Sequence, residues 1–520
     1  MDKSVRKIVI VGGGSAGWLT AGIIAAEHNG SHSAGIDITL LESADIKPIG
    51  VGEGTWPTMR STLQSIGITE HEFIRCCEAS FKQGSQFIGW VDGSEQDNYY
   101  HPFMAPHGFG QTDLIQHWQQ HHRHVPFAHS MSFQPLLCDY HRAPKQFQTP
   151  EYAAVANYGY HLNAAKFAGL LKQHCTGKLG VTHILDDVIN ICSQEDGAIQ
   201  AVTTRQHGNI AADLFIDCTG ASALLIGKHY NIPLRSQSHI LFNDTALAVQ
   251  VPYQNPNDNI ASHTISTAHD AGWIWDIGLP SRRGVGCVFA KDYCSDMEAE
   301  KTLLDYLRPS LSKDALSQLS IRKLNFQPGY REKFWHQNCV AVGMSAGFIE
   351  PLEASALALI ELSAKMIAKE LPANQDVMEI SAQRFNQRFE YRWQRIIDFL
   401  KLHYVLSKRT SAYWQDNRNP SSIPEHLQQL LTLWQFQEPT YNDFIQIEEI
   451  FPAASYQYIL YGMGFDTQPR PLKRRYNNKE LSEKNMHESV KLGNKYLAGL
   501  PTNRDLIDHI TRNSTKQIQH

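Results

Sequence analysis

No stretch of the 520-residue chain reaches the roughly 18 consecutive apolar residues that a membrane-spanning helix needs. Nor is there an excess of basic charge. Lys and Arg number 47 against 52 Asp and Glu, the net charge is −5, and no global electrostatic footprint for nucleic acid results. The nine cysteines are odd in number and none forms a C-x-x-C pair, which argues against a disulfide framework and favours a reducing compartment, the cytoplasm. Internal repeats and low-complexity tracts are absent, which excludes solenoid architectures. Met1–Val11 starts like a signal peptide, but Gly12–Gly14 cut its apolar run too short. What remains is 42% hydrophobic and 19% charged, enough for two or three domains and a large core.

The most informative stretch is Lys7–Trp18, KIVIVGGGSAGW. Ile8–Val11 reads as a buried parallel strand that breaks into a G-x-G-x-x-G turn opening a helix through Ala26. Gly12 suits the tight turn, Gly14 lets a pyrophosphate approach the backbone, and Gly17 lets helix and strand pack closely. Ser15 and Ala16 then lie at the helix N-terminus, where unpaired N–H groups and the dipole favour an anion. A second strand over 36–41 ends at Glu42, 25 residues past Gly17, placed to accept hydrogen bonds from an adenosine ribose. Either FAD or NAD fits this pattern.

Further along, Gly50, Gly52 and Gly54 sit in a loop, Pro48–Thr58, that leads into an amphipathic stretch from Met59. Phe81, Phe87 and Trp90 suggest an apolar setting for Lys82, where burial would lower its amine pKa, although most lysines are solvated surface charges. Tyr99–Phe103 places His101 and Phe103 close in sequence, as core residues or as partners for an aromatic ring. His117, His121, His122 and His124 cluster beside Trp118. Without a nearby cysteine or carboxylate to complete a ligand set they read as polar helix surface, and no metal is expected. Tyr160–Cys175 reads as a helix capped at Asn163, followed by β-rich sequence to Ala221. Trp273 and Trp275 would share one face of a strand as a broad apolar wall. Val340–Val342 reads as a strand turned by Gly343, with a helix from Ser355. A long amphipathic helix over 376–406 carries Phe385, Phe389, Trp393, Ile396, Ile397 and Phe399 on its core face. Polar, basic residues 466–480 read as a surface connection before helical sequence to about Ile510.

Together the GGGSAGW start, the G-x-G-E-G-T-x-P-T loop at 50–58, the Phe81-Lys82 pair and the later Trp-Ile-Trp resemble the flavin-dependent tryptophan halogenase family across nearly the whole chain. The resemblance implies an α/β fold. A Rossmann-like FAD-binding domain of the flavin monooxygenase type would carry a β-rich insertion and a mostly helical C-terminal substrate region. Domain boundaries follow: FAD-binding segments at 1–90, 161–230 and 336–372, a substrate-pocket insertion at 91–160, a β-rich sheet at 231–335 and a helical region at 373–520.

The same resemblance implies that Lys82 and Glu353 are catalytic and that Ser355 and Ala356 bind chloride or bromide through backbone N–H groups. It makes His101, Phe103 and Tyr456 substrate contacts and Trp273 and Trp275 a wall beside the flavin. Gly12, Gly14, Ser15, Ala16, Gly17, Glu42, Val188, Gly343 and Leu357 become contacts of FAD, used as FADH2. A separate NAD(P)H-dependent flavin reductase, O2 and a small aromatic substrate complete the expected reaction, and a homodimer is left open. Three departures from the family pattern stand out: Gly278-Leu279 before Pro280, Ala354-Ser355-Ala356 in place of Ser-Thr-Gly, and Tyr456 where tryptophan-binding members usually carry Trp. An FAD-dependent aromatic hydroxylase and a non-catalytic flavin-binding protein are the competing readings.

Overall fold

A computed structural model of the chain describes residues 4–29, 35–45, 52–468 and 478–517. Pro48–Val51 of the glycine-rich loop and 469–477 of the basic connection lie outside the described residues. The chain divides into two compact units. The first comprises Met1–Ala79, Leu162–Gln237 and Gln327–Trp393, and the second Ser80–His161, Ser238–Phe326 and Gln394–His520.

The first unit is built on a six-stranded sheet. Lys7–Val11 lies between Leu214–Asp217 and Asp37–Glu42, all parallel. Thr182–Leu185 extends one side, Cys339–Ala341 extends the other, and an antiparallel edge at Trp335–His336 closes that side. Ile8, Val9, Ile10 and Val11 are buried in succession, as a strand covered on both faces requires. The helix Ser15–His28 has nine buried residues from Gly17 to Ala25 and packs against both Ala164–Lys178 and Ser355–Lys369, which explains why it is apolar all round. Asn163 caps Ala164–Lys178 by accepting from the Lys166 N–H, but Tyr160–Leu162 belong to a strand, Gly159–Asn163, and not to the helix. This is a mixed α/β fold with a Rossmann-like parallel sheet.

A seven-stranded, mostly antiparallel sheet organises the second unit, in the order Arg322–Asn325, Thr245–Pro252, Arg282–Phe289, Gly272–Gly278, Thr264–His269, Gly84–Ile88 and Asn98–Pro102. The remainder is largely helical. Ala453–Gly462 is buried at nine of its ten positions, and the C-terminal pair is Lys479–Gly499 and Asn503–Gln517, the last running past Ile510. Met378–Val405 is one helix, and its six expected core residues are all buried. Among the described residues no helix is long and apolar enough to cross a membrane. All nine cysteines are free thiols.

Candidate active site

In the first unit the glycine turn separates packing from access. A Cβ at Gly12 would stand 2.2 Å from the Cys218 carbonyl oxygen, and one at Gly17 would stand 1.9 Å from the Gly12 oxygen. A Cβ at Gly14 would meet nothing within 4 Å. Gly12 and Gly17 are therefore required by the chain itself, whereas Gly14 borders open space. Gly14 is also the N-cap of the helix from Ser15 and supplies no side-chain cap, so the first-turn N–H groups of Ser15, Ala16 and Gly17 have no side-chain acceptor there. The side chain of Glu42 lies over Gly13, within 2.4 Å of where a Cβ would be. Its Oε2 pairs with Lys172 at 3.0 Å and His183 at 2.8 Å. A small-residue turn open to solvent, a free helix N-terminus and an adjacent carboxylate fit a dinucleotide.

The turn at Gly343 belongs to the same region. Its φ of +76° suits glycine, and a Cβ there would come within 2.9 Å of the Ala16 Cβ, so the turn after the Cys339–Ala341 strand rests on the start of the glycine-turn helix. Asp217, fully buried at the end of its strand, holds the neighbouring turn. Its Oδ1 accepts from the Thr219 N–H and hydroxyl, and its Oδ2 accepts from the Leu225 and Ile226 N–H groups at 2.8 and 2.9 Å. Leu357 is buried in the first turn of the helix Ser355–Lys369. Val188 opens a strand of the separate three-stranded sheet, opposite Thr204 and half-buried.

Glu353 and Ala354 both adopt left-handed backbone, with φ of 64° and 54°. The indole Nε1–H of Trp56 donates to the Glu353 carbonyl at 2.8 Å, tying the Thr55-Trp56-Pro57 segment to this bend. Directly after it the helix Ser355–Lys369 begins with Ala354 as N-cap and no side-chain cap, so the Ser355 and Ala356 amides lead a helix N-terminus behind an unusual turn. A cavity of about 70 Å³ opens beside them, lined by Gly343, Met344, Glu350, Pro351, Ser355 and Ala356 and by the rings of Phe385, Phe389 and Trp393. Glu353 is 7% exposed and Glu350 is 1% exposed. Glu350 was not singled out from sequence; its only signal is a carboxylate between Ile349 and Pro351, a setting in which burial is unusual.

Lys82 belongs to the second unit and is 1% exposed. It ends the short strand Ser80–Lys82, which pairs with Gly159–His161, before the chain enters the large sheet at Gly84. Gly84 permits that step: a Cβ there would stand 2.4 Å from the His101 carbonyl oxygen. The close approach lets the Phe103 N–H reach the Gln83 carbonyl at 3.0 Å, and the Lys82 Nζ lies 5.5 Å over the Phe103 ring. Phe103 is thus a ring partner of Lys82. Phe81 packs instead on Tyr158, Tyr160 and Lys145, while Phe87 and Trp90 join Tyr99 and His403 in another cluster. Burial, with the Lys82 ammonium nearby, holds His161 well below the usual histidine range. Burial likewise lowers His263 to about 3. Both shifts favour the neutral imidazole.

His101 Nε2 is 2.9 Å from the Ser455 hydroxyl, and its ring faces Phe399 at 5.5 Å. Phe399 stacks on Phe451 at 3.8 Å and meets the edge of Tyr456 at 4.9 Å. His101 and Tyr456 therefore share one ring neighbour, and Tyr456 is fully enclosed with Trp434 and Phe444 also against it. Phe451 and its stack on Phe399 were not foreseen, because their partners are distant in sequence. Trp273 and Trp275 share a face of their strand with ring centroids 6.3 Å apart. The wall is fitted to its sheet: a Cβ on Gly286 of the adjacent strand would stand 2.1 Å from the Trp275 ring. At the departure near Pro280, Gly278 packs against Ile260 and its carbonyl accepts from the Ser80 hydroxyl.

One further expectation is overturned. His117 is buried and hydrogen-bonded to Glu483, so it is not polar helix surface, although His121 and His124 are exposed.

Comparison with known proteins follows the same lines. The sequence profile of the tryptophan halogenase family matches residues 7–478. A tryptophan 6-halogenase of Streptomyces toxytricini is 32% identical over 480 residues, 88% of this chain and 89% of that protein. A 7-chloro-L-tryptophan 6-halogenase of a Kutzneria species is 33% identical over 482 residues, 88% of this chain and 90% of that protein. A crystal structure of a tryptophan halogenase from Shewanella frigidimarina is 50% identical, covers 98% of both chains and superposes with a TM-score of 0.95. On this similarity and on the flavin-type nucleotide fold, the chain belongs to the tryptophan halogenase family, a family of flavin-dependent enzymes.

Proposed function

We propose that the protein is a two-component, FADH2-dependent halogenase that places chlorine or bromine on an electron-rich aromatic ring, tryptophan or another indole. Reduced FAD, supplied by a separate NAD(P)H-dependent reductase, brings with O2 the oxidising power that turns halide into hypohalous acid. Gly14, Ser15, Ala16 and Gly17 would hold its pyrophosphate, and Glu42 its ribose. The Ser355 and Ala356 amides offer halide a cradle without bulk. Lys82 holds hypohalous acid, covalently or by hydrogen bond, and presents electrophilic halogen to the ring. Glu353 polarises that species or takes up the ring proton. Per turnover, halide, a proton, O2, FADH2 and the aromatic C–H become the carbon–halogen bond, FAD and two waters.

The observation that carries this reading is a lysine 1% exposed with its ammonium over the Phe103 ring. Buried cations are uncommon, and what sets Lys82 apart from the equally buried Lys145 and Lys401 is its place in the Phe81-Lys82 pair. The test is product analysis by mass spectrometry with NADH, a flavin reductase, FAD and an indole panel, with chloride and bromide in parallel. Wild type should yield the matching halogen isotope pattern. Lys82→Ala should lose it by at least about 1,000-fold while FAD still binds. Halogenated product from that variant, or oxygenated product regardless of halide, would overturn the proposal.

A further inference from the structure

A cluster of imidazoles closed by one carboxylate lies within the second unit. His117 sits in the helix Leu114–His121, and His122 is that helix's C-cap, with φ −129° and ψ 13°. Residues five apart on a continuing helix would point about 140° apart. The helix stops at His122 instead, and the two ring centroids stand 5.2 Å apart. Glu483 arrives from the helix Lys479–Gly499, more than 360 positions along the chain, and its Oε2 accepts from Nε2 of His117 at 2.7 Å and from Nε2 of His122 at 2.8 Å. One turn further along the same helix, the His487 Nδ1 stands 3.3 Å from Glu483 Oε1. One nitrogen of each of His117 and His122 and one oxygen of Glu483 all lie within 4.8 Å of one another.

We propose that His117, His122 and Glu483 form a binding site for a divalent transition-metal ion of the zinc type, with His487 or water as the fourth ligand. Two imidazole nitrogens and a carboxylate oxygen are a three-ligand set that zinc accepts in tetrahedral geometry, and imidazole selects zinc, nickel or copper over magnesium or calcium. Metal–ligand bonds of about 2.0–2.2 Å place ligand atoms about 3.3 Å apart, so the ion is admitted by side-chain shifts on the order of 1 Å. Burial of His117 fixes one ligand, and half-exposed Glu483 and His122 leave a path for the ion. Neither FAD binding nor halide transfer uses these residues. The metal would staple Lys479–Gly499 to Leu114–His121, joining two helices distant in sequence.

The test uses full-length protein without a polyhistidine tag, stripped by chelator and titrated with zinc chloride by calorimetry, with melting followed in parallel. Wild type should take up one zinc per chain at this site at low micromolar free zinc, and zinc should raise its Tm. His122→Asn and Glu483→Gln should each weaken that uptake about 10-fold or more and abolish the Tm rise, with FAD binding unchanged as the check on folding. His122 is only partly buried, so its variant remains informative if Glu483→Gln proves unstable. Zinc uptake equal in wild type and both variants, or no uptake by wild type, would overturn the proposal.

Discussion

Gly12, Gly17 and Gly343 in the first unit are hemmed in by other parts of the chain, while Gly14 beside them faces empty space; the bend at Glu353-Ala354 likewise sets where amides point. In the second unit the surroundings of Lys82, His101 and the Trp273–Trp275 wall are set by rings on strands and helices far apart in sequence. One unit shapes its site with backbone and the other with side chains. Backbone shape tolerates almost no added atom. A wall of rings can lose an atom, but loses stability in proportion to the volume removed.

The sharpest way to break this contrast lies within the glycine turn. Gly17→Ala should leave little folded protein, since its Cβ would overlap the Gly12 carbonyl; a loss of about 4–5 kcal/mol or more is expected. Gly14→Ala should keep the wild-type Tm within about 2 °C and lower FAD affinity about 10-fold or more. Thermal melts and fluorescence titration with FAD measure both, and a Gly14→Ala protein that melts early yet binds FAD normally would refute the division. Next in size, Phe451→Ala deletes a ring stacked at 3.8 Å on Phe399. It should cost about 3–5 kcal/mol and lower the Tm while FAD affinity stays as in wild type; weakened FAD binding would show that the two kinds of site are not independent. The smallest effect is a pH dependence. Burial pushes Glu53 up to about 7, so the fold binds a proton that the unfolded chain releases near the ordinary glutamate value. Stability from this group is fully present below that ordinary value and is lost as pH rises toward 7. Melting curves from pH 4 to pH 8 should show that decline in wild type and a flatter profile in Glu53→Gln.

Sequence and structure agree most where backbone geometry dictates residue type. The strand, turn, helix and strand through Glu42 were legible because glycine spacing and a run of Ile and Val admit few other arrangements. The Trp273–Trp275 face was legible from strand alternation alone. Lys82 was different: its residues allowed a surface lysine, and only resemblance to a family raised it, because burial depends on Phe103 and on strand partners that local sequence does not reveal. His117 was misjudged for the same reason, since the carboxylate it is hydrogen-bonded to lies more than 360 positions away. The left-handed pair at 353–354 carried no signal, as neither Glu nor Ala favours that conformation.

That pair has a consequence of its own. Side-chain-bearing residues in mirror-image backbone territory cost about 1–2 kcal/mol each relative to glycine, and this chain accepts the cost twice in succession while Trp56 holds the bend from outside. Glycine at 353 would relax the segment, yet it would delete the carboxylate. A chain that keeps an acid at a place where economy of folding would choose glycine has set thrift below the retention of that oxygen pair, and a relative carrying Gly there would be expected to melt later and, on the role proposed for Glu353, to halogenate poorly.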